Sequence, residues 1–317
     1  MKKIFIFPGQ GAQNPQMLQD IKGYSLNEIK PVFDTVSEAC KFDVIAFLES
    51  ATQEKLSLTN YTQIVMFAMN MAYVKVLSGL GIKPDVTAGH SLGQYCALVA
   101  AGVLDLYETS CLIRERSRLM SELKTDGRLC AVSSPCMSIE YVEQMCSDIS
   151  KASNDCLQIA LYNSNKQIVV GGAKPAIEKF YEEIKQNVEY KATILPVGQA
   201  FHTPIMDEML PEFRNYVNDI SVKEPSIPVI LNCTGDYYIE KNNGEDLKNE
   251  LIEQCHKPVR WLQTMNTLLE VENPVIIEVG PGHSLSGLFR NLTKEVKVWC
   301  SEDKKSLMTL SKKINQE

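Results

Sequence analysis

Apolar and polar residues alternate in blocks along this chain, and most blocks have the length of one secondary-structure element. Ile4-Phe5-Ile6-Phe7 is a short apolar run that stops at Pro8-Gly9-Gln10-Gly11-Ala12-Gln13, so a strand entering a glycine-rich turn is expected. Residues 64–77 are apolar with few breakers and predict a largely buried helix. Gly79, Gly81 and Pro84 end it. Val86-Thr87-Ala88 follows as a short strand and residues 92–101 as another apolar helix, with Gly89-His90-Ser91-Leu92-Gly93 between them. A further helix is expected over 105–124.

From 126 to 195 the elements shorten. Strands are expected at 129–132, 157–161, 167–170 and 192–195, with helices at 137–149 and 175–185. That order, βαββαβ, is the ferredoxin-like one. It interrupts two stretches that each look like parts of a larger α/β domain, which predicts a main domain from 1–125 and 196–317 with an inserted subdomain at 126–195. Strands at 229–231 and 275–279 extend the main sheet. The latter runs into Gly280-Pro281-Gly282, at the carboxyl edge where α/β sheets build sites. The last fifteen or so residues look like a charged, frayed tail.

Composition narrows the function classes. The 317 residues suffice for a sizeable core without disulfides or metal. The net charge of −7 argues against nucleic acid as a partner. No stretch approaches the roughly 20 apolar residues needed to span a bilayer, and the opening apolar run is too short for a signal peptide. Ten cysteines lack any C-x-x-C pair, which disfavours zinc and redox motifs and suggests reduced, mostly buried thiols in the cytoplasm. Four histidines remain as candidate neutral-pH bases: His90, His202, His256 and His283.

Gly89-His90-Ser91-Leu92-Gly93 is a G-x-S-x-G between a predicted strand and a predicted helix. In that setting the glycines permit a tight turn that pushes the Ser91 hydroxyl out above the sheet. Leu92 opens the helix, where a backbone N–H and the helix dipole favour negative charge. A serine nucleophile needs a base within hydrogen-bond reach. His90 is too close in sequence to turn back on Ser91, while His256 lies in a polar stretch and His283 in a loop. His202, in Gln199-Ala200-Phe201-His202-Thr203-Pro204, follows a predicted strand end and is the best candidate base.

Arg116 stands out by angle. At about 100° per residue, Leu112, Ile113, Leu119, Met120 and Leu123 fall within about 60° of it on the predicted helix, whereas Arg114 and Arg118 point to the other side. A guanidinium on an apolar stripe needs an anionic partner, because it does not give up its charge. Two partners fit: a buried Asp or Glu, or the carboxylate of a substrate.

Taken in order, these segments resemble the malonyl-CoA:acyl carrier protein transacylases and the acyltransferase domains of polyketide synthases. The resemblance runs from Phe7-Pro8-Gly9-Gln10-Gly11 through Gly89-His90-Ser91-Leu92-Gly93, Arg116 and Phe201-His202-Thr203-Pro204. It continues to Gln254, Pro258-Val259-Arg260-Trp261 and Glu278-Val279-Gly280-Pro281-Gly282, covering nearly the whole chain. It implies an α/β-hydrolase-like main domain with a parallel sheet. It also implies malonyl-CoA as substrate, a phosphopantetheine-bearing acyl carrier protein as partner, and no tightly bound cofactor. Ser91 would carry the acyl group and His202 would shuttle the proton. Backbone N–H groups of Gln10 and Leu92 would form the oxyanion hole, Arg116 would hold the malonyl carboxylate, and the Gln254 carbonyl would orient His202. Ala200 and Phe201 resemble the malonyl-specific x-Ala-Phe-His pattern. Gln94, where many relatives carry Glu, and Tyr162-Asn163-Ser164-Asn165, which lacks a common Pro, depart from it.

Two rival functions keep the same architecture. A carrier-protein acyl hydrolase would have little use for Arg116, and a non-catalytic docking module would be expected to have lost Ser91, His202 or the oxyanion turn. Because the carrier protein is expected to be acidic, docking on this acidic chain needs a local basic patch. Arg290 and Lys294 are candidates, with a solvated helix face the more common use of such a pair.

Overall fold

The computed structural model describes residues 1–240 and 242–314, with the side chains of 24–26 left aside. Strand β1 (Lys2–Phe7) alternates between two cores: Phe5 and Phe7 enter one, Ile4 and Ile6 the other. Burial on both faces is what a central parallel strand requires. β1 pairs in parallel with β2 (Val86–Gly89) and β8 (Pro274–Glu278). Beyond them lie β7 (Val229–Ile230) and β9 (Lys297–Cys300), giving the order β7-β2-β1-β8-β9.

One face of this sheet is covered by a long helix α1 (Met17–Cys40), the short helices α2 (Val44–Ser50) and α3 (Gln53–Leu56), and the buried α4 (Thr59–Gly79). With them pack α5 (Gly93–Ala100) and α6 (Leu106–Glu122).

The chain then leaves for a second sheet: β3 (Gly127–Ser133), α7 (Ile139–Ser153), β4 (Leu157–Ser164), β5 (Gln167–Ala173), α8 (Lys174–Ile184) and β6 (Lys191–Ile194). Its order β4-β5-β3-β6 is antiparallel throughout, the ferredoxin-like arrangement. α7 and α8 bury Val142, Ile149, Phe180 and Ile184 on one face, while Leu129, Ala160 and Val169 lean from the sheet into the main core. Tyr162 N–H donates to the Val259 carbonyl and Val259 N–H to the Ala160 carbonyl, both at 2.9 Å, tying the insert's edge strand to the segment of the main domain at 257–260.

The return segment supplies α9 (Leu210–Asn218) and α10 (Glu245–His256). The opposite face of the parallel sheet is covered by α11 (Trp261–Leu269) and α12 (Ser284–Leu292). The architecture is thus the expected α/β fold with a parallel sheet and a ferredoxin-like insert.

Two expectations need correction. The frayed tail is instead helix α13 (Lys304–Ile314), whose Leu307 and Leu310 are fully buried in the main core; residues 315–317 of the expected tail lie outside the described residues. Gly280-Pro281-Gly282 does not line the site but packs behind the turn that carries Gln10, a Cβ at Gly280 lying 3.2 Å from Pro8 and one at Gly282 3.6 Å from Ala12. The carboxylate of Glu278, just before the Gly280 turn, accepts the N–H groups of Leu285 (3.1 Å) and Ser286 (2.6 Å), satisfying the start of α12.

Candidate active site

Ser91 sits at φ 53°, in the left-handed region that non-glycine residues avoid. The turn that holds it there is closely packed. A Cβ at Gly89 would lie 1.9 Å from the Gly93 carbonyl, and one at Gly93 would lie 2.0 Å from the Phe7 carbonyl oxygen. The two glycines therefore let β2, the turn and α5 approach more closely than any side chain allows. Gly93→Ala is expected to cost about 1–3 kcal/mol by overpacking, read as a lower Tm; an unchanged melt would refute the close-approach argument. Gly9 is also tight, its missing Cβ 2.7 Å from the His90 carbonyl, so the 8–11 turn is pressed against the elbow and carries Gln10 to its side.

Ser91 Oγ and His202 Nε2 are 2.7 Å apart. On the other side of the ring, Nδ1 meets the Gln254 carbonyl at 2.6 Å. A carbonyl only accepts, so Nδ1 carries the proton and Nε2 is left free to take one from the serine hydroxyl. His202 is itself at φ 62° and only 2% exposed. Burial, reinforced by the nearby Arg116 charge, pushes its pKa down to about 3. The imidazole is therefore neutral in the resting state, as a proton acceptor must be.

Arg116, on α6, is 2% exposed and faces the same cavity. Its guanidinium donates to Gln63 Oε1 (2.5 Å) and Gln254 Oε1 (3.1 Å) and lies 5.4 Å from the Tyr95 ring centroid. Its Nε has no hydrogen-bond partner, and among the described residues no ion pair reaches it. The sequence left open a buried Asp or Glu as its partner; the partners are neutral amides. Arg114 and Arg118, on the other face, share Glu115, and Arg118 also pairs with Glu122 and Glu212.

The lining of the cavity of about 370 Å³ includes the polar Gln10, Gln63, His90, Ser91, Arg116 and His202 and the apolar Leu129, Leu161, Leu195, Val197 and Phe201. The slot thus combines apolar walls with the serine, the histidine and the guanidinium. Ala200 is fully buried but does not line the slot; it packs against the backbone of Gly127.

The remaining histidines have other partners. His90 Nε2 meets Asn163 Oδ1 at 2.9 Å with its ring edge-on to Trp261, and burial lowers its pKa. His256 pairs with Asp207 and His283 with Glu302, both away from the cavity. No cysteine lines the cavity, and burial pushes the thiols of Cys40, Cys96 and Cys146 up to about 12. Arg290 and Lys294 are exposed; Arg290 donates to the Val298 carbonyl in β9 and Lys294 to the Arg290 carbonyl in α12.

Sequence reasoning missed two residues here and part of the role of a third. Gln63 and Asn232 are buried polar side chains without a motif around them, and the Gln254 carboxamide does more than its backbone. Its Nε2 donates to the Ser91 carbonyl at 2.7 Å while its Oε1 accepts from Arg116, so one side chain spans the serine turn and the guanidinium.

A serine–histidine pair on a strand–turn–helix elbow, with a buried cation in the same slot, defines an acyl-transferring class of protein. The acyl transferase domain family's model matches residues 4–311, and the chain belongs to that family. Within it, the chain belongs with the malonyl CoA-acyl carrier protein transacylases: the Bacillus subtilis (strain 168) protein of that name is 30% identical over 318 residues, covering 100% of this chain and 99% of its own. The solved malonyl CoA-acyl carrier protein transacylase of Clostridium perfringens superposes with a TM-score of 0.91 at 31% identity, over 100% of this chain and 98% of that one. A malonyl-transacylase solved in complex with its type II PKS acyl-carrier protein matches at a TM-score of 0.90 and 28% identity, over 99% and 100%. Among the described residues no helix is long and apolar enough to cross a membrane, and no cluster of His, Cys, Asp and Glu could hold a metal ion.

Proposed function

We propose that this enzyme moves a malonyl group from malonyl-CoA to the phosphopantetheine thiol of an acyl carrier protein, through an ester on Ser91. One observation carries the malonyl assignment: a fully charged, buried Arg116 with only neutral partners, in the slot that holds the Ser91–His202 pair. A buried guanidinium without a counter-charge is costly, and a substrate carboxylate removes that cost. The same feature disfavours a hydrolase that clears uncharged acyl chains.

Ser91 Oγ attacks the thioester carbonyl as its proton passes to His202 Nε2. Backbone N–H groups of Gln10 and Leu92 face the oxyanion. Collapse expels the CoA thiolate, which takes the proton from His202 and leaves malonyl-Ser91. The carrier-protein thiol then enters, gives its proton to His202 and attacks the ester, regenerating the serine hydroxyl. Arg116 holds the carboxylate through both halves. Its charge lowers the basicity of His202, so a carboxylate bound across it raises that basicity. Phe201 lines the slot and crowds an α-methyl substituent, a difference worth about 1–3 kcal/mol. Ala200 acts only indirectly, by seating Phe201.

Residues 1–125 and 196–317 form the acyltransferase unit and 126–195 the subdomain that contributes Leu129, Leu161 and Leu195 to the slot. The free thiols of all ten cysteines are consistent with a reducing cytoplasm.

The test is intact-mass spectrometry after incubation with malonyl-, methylmalonyl- or acetyl-CoA, followed by carrier protein. Malonyl should load and then leave on the carrier protein. Arg116→Ala should slow malonyl loading by about 10²- to 10³-fold, the loss of a buried charge pair, while acetyl loading changes far less. Undiminished malonyl loading in that variant would remove the clamp.

A further inference from the structure

The parallel ladder between β2 and β7 runs out before the serine turn does. Its register pairs Thr87 with Val229 and Ala88 with Ile230, and Thr87 N–H donates to the Pro228 carbonyl. Carried on regularly, that register would bring the peptide groups of Asn232 to the turn. Its N–H would donate to the Gly89 carbonyl, and its C=O would accept from Ser91 N–H. The backbone does neither. Asn232 N–H turns to Gln94 Oε1 at 2.5 Å, and its carbonyl accepts from Arg260 N–H at 2.9 Å.

The side chain takes both vacated places. Asn232 Nδ2 donates to the Gly89 carbonyl at 2.6 Å, and Oδ1 accepts from Ser91 N–H at 2.8 Å. A carboxamide offers a donor and an acceptor much as a peptide group does, so it can extend a ladder that the chain itself has left. Oδ1 also accepts from Gln254 Nε2 at 3.3 Å, the amide that bonds the Ser91 carbonyl and is linked to Arg116. Asn232 is 1% exposed and does not line the slot.

We infer that Asn232 is a positioning residue for Ser91: its side chain stands in for the missing strand and fixes the serine at φ 53° from both sides. The inference rests on Ser91 being the nucleophile. Asn232 touches no substrate, so it should act on the rate of acyl transfer and not on substrate affinity.

The experiment measures malonyl loading of Ser91 by rapid-quench intact-mass spectrometry, with thermal melts fixing the folded fraction. Asn232→Ala removes both bonds and should lower the maximal loading rate by about 10²-fold, the scale of a misplaced reacting group, with KM for malonyl-CoA within about threefold of the parent. Asn232→Asp keeps the shape and the acceptor and loses the donor; roughly tenfold is expected, one hydrogen bond's share. If the alanine variant does not fold, the aspartate variant decides. A loss that merely tracks the unfolded fraction, or a rise in KM at unchanged maximal rate, overturns the inference. A parent that takes no malonyl on Ser91 overturns the nucleophile assignment and this inference with it. A parent that loads normally beside an equally fast Asn232→Ala overturns the inference alone.

Discussion

Ser91→Ala is expected to abolish malonyl loading and transfer altogether, without loss of the fold. The cavity offers no substitute nucleophile at the histidine: Ser91 Oγ alone stands 2.7 Å from His202 Nε2, and no cysteine lines the slot. Alanine keeps the Cβ and the backbone N–H that bonds Asn232, so the turn should survive. Intact-mass spectrometry with excess malonyl-CoA should find only unmodified protein. A stoichiometric malonyl adduct on the variant would refute Ser91 as the acyl carrier, and a collapsed melting curve would point to a structural role instead.

His202→Ala is the second large effect, a fall of about 10²- to 10⁴-fold in loading rate, the range for a positioned general base. Its pH dependence gives the sharper check. With the pKa depressed to about 3, the free enzyme keeps a neutral base as pH falls well below the ordinary histidine value of 6.5. The acid limb of kcat/KM should therefore lie far below 6.5 in the parent. In Arg116→Ala one of the causes of depression is gone, so the acid limb for an uncharged acyl donor should move up. A limb at 6.5 in both proteins would contradict the buried, neutral imidazole. Stability runs in the same direction: below 6.5 the unfolded chain takes up a proton that the native site refuses, so this histidine's contribution to native stability falls as pH drops from 6.5 toward 3.

How much of this was legible in the sequence depended on whether a residue's chemistry was local. Arg116 was, because a single helix and its angle set the conflict between charge and apolar neighbours. The strands of both sheets were visible where apolar runs met glycine or proline. β9 was not: its apolar run Val298-Trp299-Cys300 is short, set between Lys297 and Ser301 without a glycine or proline to mark its ends, and lies part-buried at the sheet edge. Helix α13 was masked by its lysines, although Leu307 and Leu310 already stood three apart on one face. Asn232 was invisible for a different reason. Leu231-Asn232-Cys233-Thr234-Gly235 has turn composition, and nothing local marks a side chain that replaces a peptide group of a distant ladder. The Gln254 carbonyl entered only through the family resemblance, since any residue has a carbonyl; what geometry added was its carboxamide, tied to Ser91 and Arg116 at once.

Ser91 at φ 53° and His202 at φ 62° share a further property. Each occupies backbone that glycine would adopt without strain, at a cost of about 1–3 kcal/mol. The changes that would most directly relax this fold are thus the two that delete its proposed nucleophile and base. Stability and turnover are opposed at these two positions, so any more heat-resistant version of the enzyme has to find its gains elsewhere in the chain.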